Sequence, residues 1–245
     1  MTAKVFLAGA TGAIGSQLVP LLVKAGYRVF GSTRSRDKAP DLENAGAEPV
    51  VLDVFDAAAV DTAFSRVRPE ILIHMLTDLP KDLNPEAMVE GKLRNARIWT
   101  EGTRNLIAAA KGAGTRRAIA QSLAWFYAPG PRPHGEDDPL GTTDAGQQVV
   151  LEAVMALERM VLDSPPLRGT VLRYGLLYGP GTSSAVPQGA CTLHVEAAAQ
   201  AALLAIRKEA PGIFNIVDDN SEVSTERAKR DLGWSPDFRR VTPRA

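Results

Sequence analysis

Three glycines at three-residue spacing, in Gly9-Ala10-Thr11-Gly12-Ala13-Ile14-Gly15, follow the apolar run Lys4-Val5-Phe6-Leu7-Ala8 and precede an amphipathic stretch over 16–25. Strand, glycine turn and helix in that order can hold the pyrophosphate of a dinucleotide. The first glycine permits the tight turn and the second lets phosphate oxygens approach bare backbone. The third lets the helix pack close to the strand, with its amino terminus facing the anion. A glycine pattern alone is a weak signal, and here it sits in the context it requires. Gly9, Thr11, Gly12, Ala13, Ile14 and Gly15 are therefore the candidate pyrophosphate contacts.

The second strand ends in Phe30-Gly31-Ser32-Thr33-Arg34-Ser35-Arg36, with no carboxylate before Asp37. An acid at this position would accept from the 2'-hydroxyl of NAD, whereas a 2'-phosphate calls for cations and hydroxyls. Arg34 can fork onto a phosphate, and Thr33 and Ser35 offer hydroxyls. NADP(H) is expected over NAD(H); a solvated basic loop is the plainer alternative. Asp53-Val54 ends the third strand, where Asp53 could accept from the adenine amino group or cap the helix that begins near Ala57. Met75, Leu76 and Thr77 should run beside the nicotinamide ribose, and Gln121, Tyr174, Gly175 and Leu176 complete the expected cofactor contacts. His74, in an apolar strand, reads as a packed histidine, and His194 as a helix-start or core residue.

These residues need a scaffold, and the pattern supplies one. Short, nearly continuous apolar runs fall at 4–8, 28–32, 48–52, 71–76, 117–122, 170–173 and 212–217. Helical patterns lie between them at 15–25, 57–66, 85–112, 146–162 and 195–208. This is the alternation of an α/β, doubly wound parallel sheet covered on both faces, a Rossmann architecture. A single domain over 1–245 is expected, with 182–245 forming a reduced C-terminal substrate region. The Pro/Gly-rich stretch 128–141 reads as a loop over the sheet's carboxyl edge, where ligands bind in such folds.

Composition narrows the partners. Twenty-eight basic residues balance twenty-eight acidic ones in a chain of 245, so no global field recruits nucleic acid or an anionic membrane. The single cysteine excludes an internal disulfide and suits a reducing compartment. No export leader and no membrane-spanning run is read, and no metal-ligand spacing is present, so a cytoplasmic protein acting on a small molecule is expected.

With those motifs in hand, the chain resembles the extended short-chain dehydrogenase/reductase family, which includes nucleotide-sugar epimerases and dehydratases. The resemblance rests on Gly9-x-x-Gly12-x-x-Gly15, Asp53-Val54, Ile73-His74, Gly102-Thr103-Arg104-Asn105, Leu172-Arg173-Tyr174-Gly175 through Gly181, and Leu232-Gly233-Trp234. It implies catalysis by a serine or threonine, a tyrosine, and a lysine four residues after the tyrosine. The tyrosine moves the substrate proton, and the lysine lowers the tyrosine's pKa. No Tyr-x-x-x-Lys occurs here. Aligning Glu158 with the acid that follows that pair puts Val150 and Val154 in the two positions. The family's hydroxyl position falls on Leu123, one residue beyond Ser122. Ser122 and Tyr127 are the remaining catalytic candidates, each with a structural alternative: Ser122 as a core or cofactor-facing residue, Tyr127 as wall.

Only 64 residues follow Gly181, where the family usually builds a helical lobe and lid, so the lid is expected to be missing. Trp125, Phe126, Tyr127, Tyr174 and Tyr178 should then wall an open site for a broad aromatic molecule. A truncated member without the triad resembles ketoreductases that tailor polycyclic aromatic polyketides. NADPH-dependent reduction of such a ketone, in secondary metabolism such as antibiotic biosynthesis, is the leading expectation. A non-catalytic NADP(H)-binding redox sensor is the alternative, and sugar epimerisation or dehydration trails because its base would be Val150. The chain is expected as a monomer or homodimer; the family resemblance implies pairing through the 85–112 and 146–162 helices, whose apolar faces could equally be core.

Overall fold

A computed structural model describes residues 2–80 and 85–239. Strands β1 (Lys4–Ala8), β2 (Arg28–Thr33), β3 (Glu48–Val51), β4 (Ile71–His74), β5 (Arg117–Leu123) and β6 (Arg168–Tyr174) alternate with helices. These helices are α1 (Ala13–Lys24), α2 (Ala39–Asn44), α3 (Ala57–Val67), α4 (Pro85–Arg97), α5 (Thr103–Gly112) and α6 (Gln148–Leu162). The short strands β7 (Leu176–Tyr178) and β8 (Thr192–His194), helix α7 (Val195–Lys208) and strand β9 (Gly212–Ile216) follow. Seven strands form one parallel sheet in the order β3-β2-β1-β4-β5-β6-β9, while β7 and β8 pair separately. The chain works outward from β1 to β3, crosses back to β4 on the other side of β1, and continues to β9. The crevice between the carboxyl ends of β1 and β4 is thus the topological switch point, where ligands bind in open α/β sheets.

Burial explains why the strand sequences are mostly apolar. In β1, Val5 and Leu7 join the core under α1 and α7, while Phe6 and Ala8 join the core under α3, α5 and α6. Successive side chains alternate between faces, and both faces are covered, so the few polar side chains on the strands must find partners within the fold. Phe6 meets Phe64 of α3 with ring centroids 4.5 Å apart. Each such fully buried side chain contributes about 1.5–3 kcal/mol.

Several short elements differ from the sequence reading. The six-residue α2 buries only Leu42, too little to leave a periodic signal. Strands β7 and β8 have three residues each, below the length at which alternation is readable. The 85–112 run is helical throughout but contains a π turn at Ile98–Gly102 between α4 and α5. His74 and Thr103 brace that turn. Leu76 N–H donates to His74 Nδ1 at 3.3 Å, so the neutral ring carries its hydrogen on Nε2, 3.1 Å from Thr103 Oγ1. Thr103 Oγ1 in turn lies 3.4 Å from the Ile98 carbonyl.

Burial pushes the His74 pKa down from 6.5 to about 4. Because the folded value lies below the unfolded one, the unfolded chain takes up the proton first as the solution is acidified. The stability tied to neutral His74 is full above pH 6.5 and is lost as pH falls toward 4, by up to about 3 kcal/mol. Replacing the ring by a non-titrating donor, His74→Gln, should flatten that part of the profile. Thermal melts of both proteins across this range check it; a parallel decline would refute it.

Candidate active site

At the switch point the glycine loop is as tight as its sequence requires. Gly9 has φ +88°, and a Cβ there would lie 2.6 Å from the Met75 carbonyl oxygen of the loop after β4. A Cβ on Gly15 would lie 2.1 Å from the Gly9 carbonyl oxygen, so the first turn of α1 rests directly on the loop. Gly12 caps α1 with no side chain of its own. Ala13 and Ile14 therefore begin a helix whose amino terminus faces the crevice, the cradle a pyrophosphate needs. Thr11 Oγ1 lies 3.4 Å from Thr33 Oγ1, which accepts from Ser35 N–H at 3.2 Å, tying the loop to the end of β2.

A narrow slot of about 30 Å³ continues from the loop, lined among others by Thr33, Arg34, Val54, Phe55, Leu76 and Thr77. Asp53 lies beside it, exposed, and accepts from Phe55 N–H at 3.0 Å. It does not cap α3: Asp56 does, accepting from Ala59 N–H at 2.9 Å. Arg97 lies 3.9 Å from the centre of the Phe55 ring, a cation–π contact that holds the ring at the slot. Gln121 donates to the Leu76 carbonyl at 3.2 Å and fixes the β4 loop to β5.

The catalytic candidates are turned elsewhere. Ser122 is buried, and its hydroxyl donates to Glu158 Oε1 of α6 at 2.6 Å, which makes it a core partner. Glu158 also takes Arg173 of β6 in a fork, Nε to Oε1 at 2.8 Å and Nη2 to Oε2 at 2.7 Å. Arg173 Nη1 donates to the Tyr127 hydroxyl at 3.0 Å and to the Glu136 carbonyl at 3.1 Å. Tyr127 then donates to Asn215 Oδ1 at 2.6 Å, and Asn215 N–H to Glu136 Oε1 at 2.9 Å. Burial raises the Tyr127 pKa, with Arg173 pulling the other way. Burial also works against the Arg173 charge, but Glu158 outweighs it and the guanidinium pKa is raised.

This network was not assembled from sequence, although it left one signal: a charged Arg173 within an apolar strand demands a buried partner. Val150 and Val154 are buried on α6, and Leu123 ends β5. None of the three can move a proton.

The expected five-aromatic wall is only partly assembled. Trp125, Phe126 and Tyr127 line a pocket of about 280 Å³ with Pro129, Gly141, Thr142, Thr143 and Gln147. Tyr174 instead is buried and donates to the Ala198 carbonyl of α7 at 3.0 Å, because its position on β6 points it under that helix. Tyr178 stands edge-on to His194 on the small sheet, at 5.1 Å. His194 caps α7, its Nδ1 accepting from Glu196 N–H. Gly175 packs against the start of β8, where a Cβ would meet the Cys191 carbonyl at 2.9 Å, and Leu176 is exposed on β7.

Gly12 separates binding from folding. A Cβ there would meet only the Gly9 carbonyl, at 3.3 Å, and would cover the surface a phosphate must approach. Gly12→Ala should cost about 1 kcal/mol or less in stability while weakening dinucleotide binding at least about tenfold. Melting and titration of the nicotinamide dinucleotide on the same sample test this. Equal affinity in the variant would remove the loop from the site.

Known proteins resemble this chain in sequence and in fold. The model of the NAD dependent epimerase/dehydratase family matches residues 5–240. A 3-diazoavenalumate denitrifying reductase of a Streptomyces species is 38% identical over 97% of this chain and 81% of its own length. A dTDP-4-dehydrorhamnose reductase of Streptomyces griseus is 31% identical over 71% of this chain and 49% of its own. Among solved structures, UDP-glucose 4-epimerase of Thermotoga maritima superposes with a TM-score of 0.78 at 19% identity, covering 96% of this chain and 94% of that one. Yeast methylglyoxal/isovaleraldehyde reductase Gre2, complexed with NADPH, gives 0.77 at 18%, covering 97% and 94%. At those identities the structures speak for the fold, and no helix among the described residues is long and apolar enough to cross a membrane. The family model and the Streptomyces relative go further: this chain belongs to the NAD-dependent epimerase/dehydratase family.

Proposed function

We propose that the chain is an NADPH-dependent reductase that passes hydride to an aromatic substrate held against Trp125, Phe126 and Tyr127, with no proton supplied by the family's tyrosine. The observation that carries this reading is that the two hydroxyls left as catalytic candidates are already committed, Ser122 donating to Glu158 and Tyr127 to Asn215. It is supported by the absence of any Tyr-x-x-x-Lys in the sequence, where the alignment on Glu158 puts Val150 and Val154. Losing a general acid forfeits about 10² to 10⁴ in rate for an acceptor that must be protonated. An acceptor that needs only hydride escapes that loss.

A diazo arene is such an acceptor, and the relative at 38% identity is a 3-diazoavenalumate denitrifying reductase. The bound nicotinamide supplies the hydride. In an aryldiazonium form the terminal nitrogen accepts it, the carbon–nitrogen bond breaks, dinitrogen leaves, and the hydrogen passes to the ring carbon. The sum is ArN₂⁺ and NADPH giving ArH, N₂ and NADP⁺, which balances without an external proton. Protein residues position and shield: the glycine loop holds the pyrophosphate, Arg34 and Thr33 the 2'-phosphate, and residues 125–127 the ring. The pocket's 280 Å³ lies at the low end of ligand sites, about 300–1,000 Å³, which suits one or two rings.

Reduction of a polycyclic aromatic polyketide ketone is the second reading. The aromatic wall at residues 125–127 favours it, and a substrate phenol beside the carbonyl would provide the proton. The two acceptors separate in one assay. With a stable ortho-diazoquinone, NADPH absorbance should fall with release of dinitrogen, and the rate should stay flat between about pH 6 and 9, because the Tyr127 pKa is raised and stays out of that window. Turnover of aromatic ketones alone would move the assignment to the second reading. Tight NADP(H) binding with no turnover of either class would leave a redox sensor in place of the enzyme.

A further inference from the structure

An ion cluster adjoins the slot at the end of β2. Arg34, just past the end of β2, meets Asp78 of the loop after β4 through Nη1 to Oδ2 at 3.3 Å and Nη2 to Oδ1 at 3.2 Å. Asp78 Oδ2 also faces Arg94 Nε of α4 at 3.5 Å, and Arg94 reaches Glu90 at 3.6 Å. The Asp78 backbone is pinned, since its N–H donates to the buried Asn95 Oδ1 at 2.7 Å. Arg34 and Thr77 both line the slot, so the Arg34–Asp78 pair joins its two walls.

A guanidinium fork on a carboxylate uses the same N–H edge that forks onto a phosphate. We propose that Asp78 is a specificity-determining residue: its carboxylate competes with the cofactor's 2'-phosphate for Arg34 and thereby sets how strongly the site prefers NADP(H) to NAD(H). The inference rests on the reading of Arg34 as the 2'-phosphate ligand. When Arg34 turns to the phosphate, Asp78 keeps Arg94 as a partner, so no carboxylate is stranded. The Asp78 charge nevertheless stays close to a dianion and repels it. Both effects weaken binding of the phosphorylated cofactor, and neither acts on NAD(H), which lacks the group.

Calorimetric titration with NADP⁺, NAD⁺ and adenosine 2',5'-bisphosphate at low ionic strength tests this without reference to turnover. Asp78→Asn keeps the backbone bond to Asn95 and removes the charge. It should tighten NADP⁺ and the bisphosphate by about three- to tenfold, leave NAD⁺ within about twofold, and lose the gain in about 1 M salt. Arg94→Gln leaves Asp78 more dependent on Arg34 and should weaken NADP⁺, so the two variants move in opposite directions, which misfolding cannot imitate. Unchanged or weaker NADP⁺ binding in Asp78→Asn, or an equal gain for NAD⁺, overturns the proposal. Arg34→Gln separates the levels. If it leaves the NADP⁺ to NAD⁺ ratio unchanged, the 2'-phosphate reading itself fails. If it collapses the ratio while Asp78→Asn does not move it, only the assignment to Asp78 fails.

Discussion

The β5–β6–β9 side of the molecule is organised by the ion pair between Arg173 and Glu158. Their side chains are only 4% and 8% exposed, so both charges are out of water and each needs the other. Removing one member of such a pair typically costs about 3–5 kcal/mol, because the other is left buried and unpaired. The requirement propagates. Glu158 has an oxygen to share and takes Ser122 of β5; Arg173 has a free N–H edge and takes Tyr127 and the Glu136 carbonyl. Through Asn215 the same network reaches β9. Strands β5, β6 and β9, helix α6 and the 128–141 loop are thereby tied together through a single pair of charges.

That constraint also engages the hydroxyls nearby: Ser122 donates to Glu158, and Tyr127 accepts from Arg173 and donates to Asn215. Positions on α6 that could have carried a donor hold Val150 and Val154 and pack into the core instead. In the opposite half of the crevice the glycine loop is tightly packed, with Gly9 and Gly15 in contacts that no side chain could share. The loop and the buried network lie on different strands: β1 and β2 carry one, and β5, β6, β9 and α6 the other.

The sheet could be read almost strand by strand from the sequence because its strands are covered on both faces, and continuous apolar runs have no other use in a chain of this kind. Helix α7 begins and ends where its pattern does, at Val195 and Lys208. Short elements such as α2, β7 and β8 escaped, since three to six residues hold too few alternations to distinguish them from loops. Tyr174 shows the limit for side chains. Its place on β6 was legible, but which face it takes depends on register, and one step decides between the crevice and the underside of α7.

What the sequence determined by itself was local in origin: the glycine loop, the alternation of strand and helix, and the absence of any Tyr-x-x-x-Lys. Each depends on residues a few positions apart, where backbone geometry and periodicity act directly. Tertiary structure decided which groups remain free to act. Ser122 and Glu158 are 36 positions apart, Tyr127 and Asn215 are 88, and Arg34 and Asp78 are 44. Hydrogen bonds over such separations arise only when the sheet order brings the strands together, and it is they that commit or release each polar group.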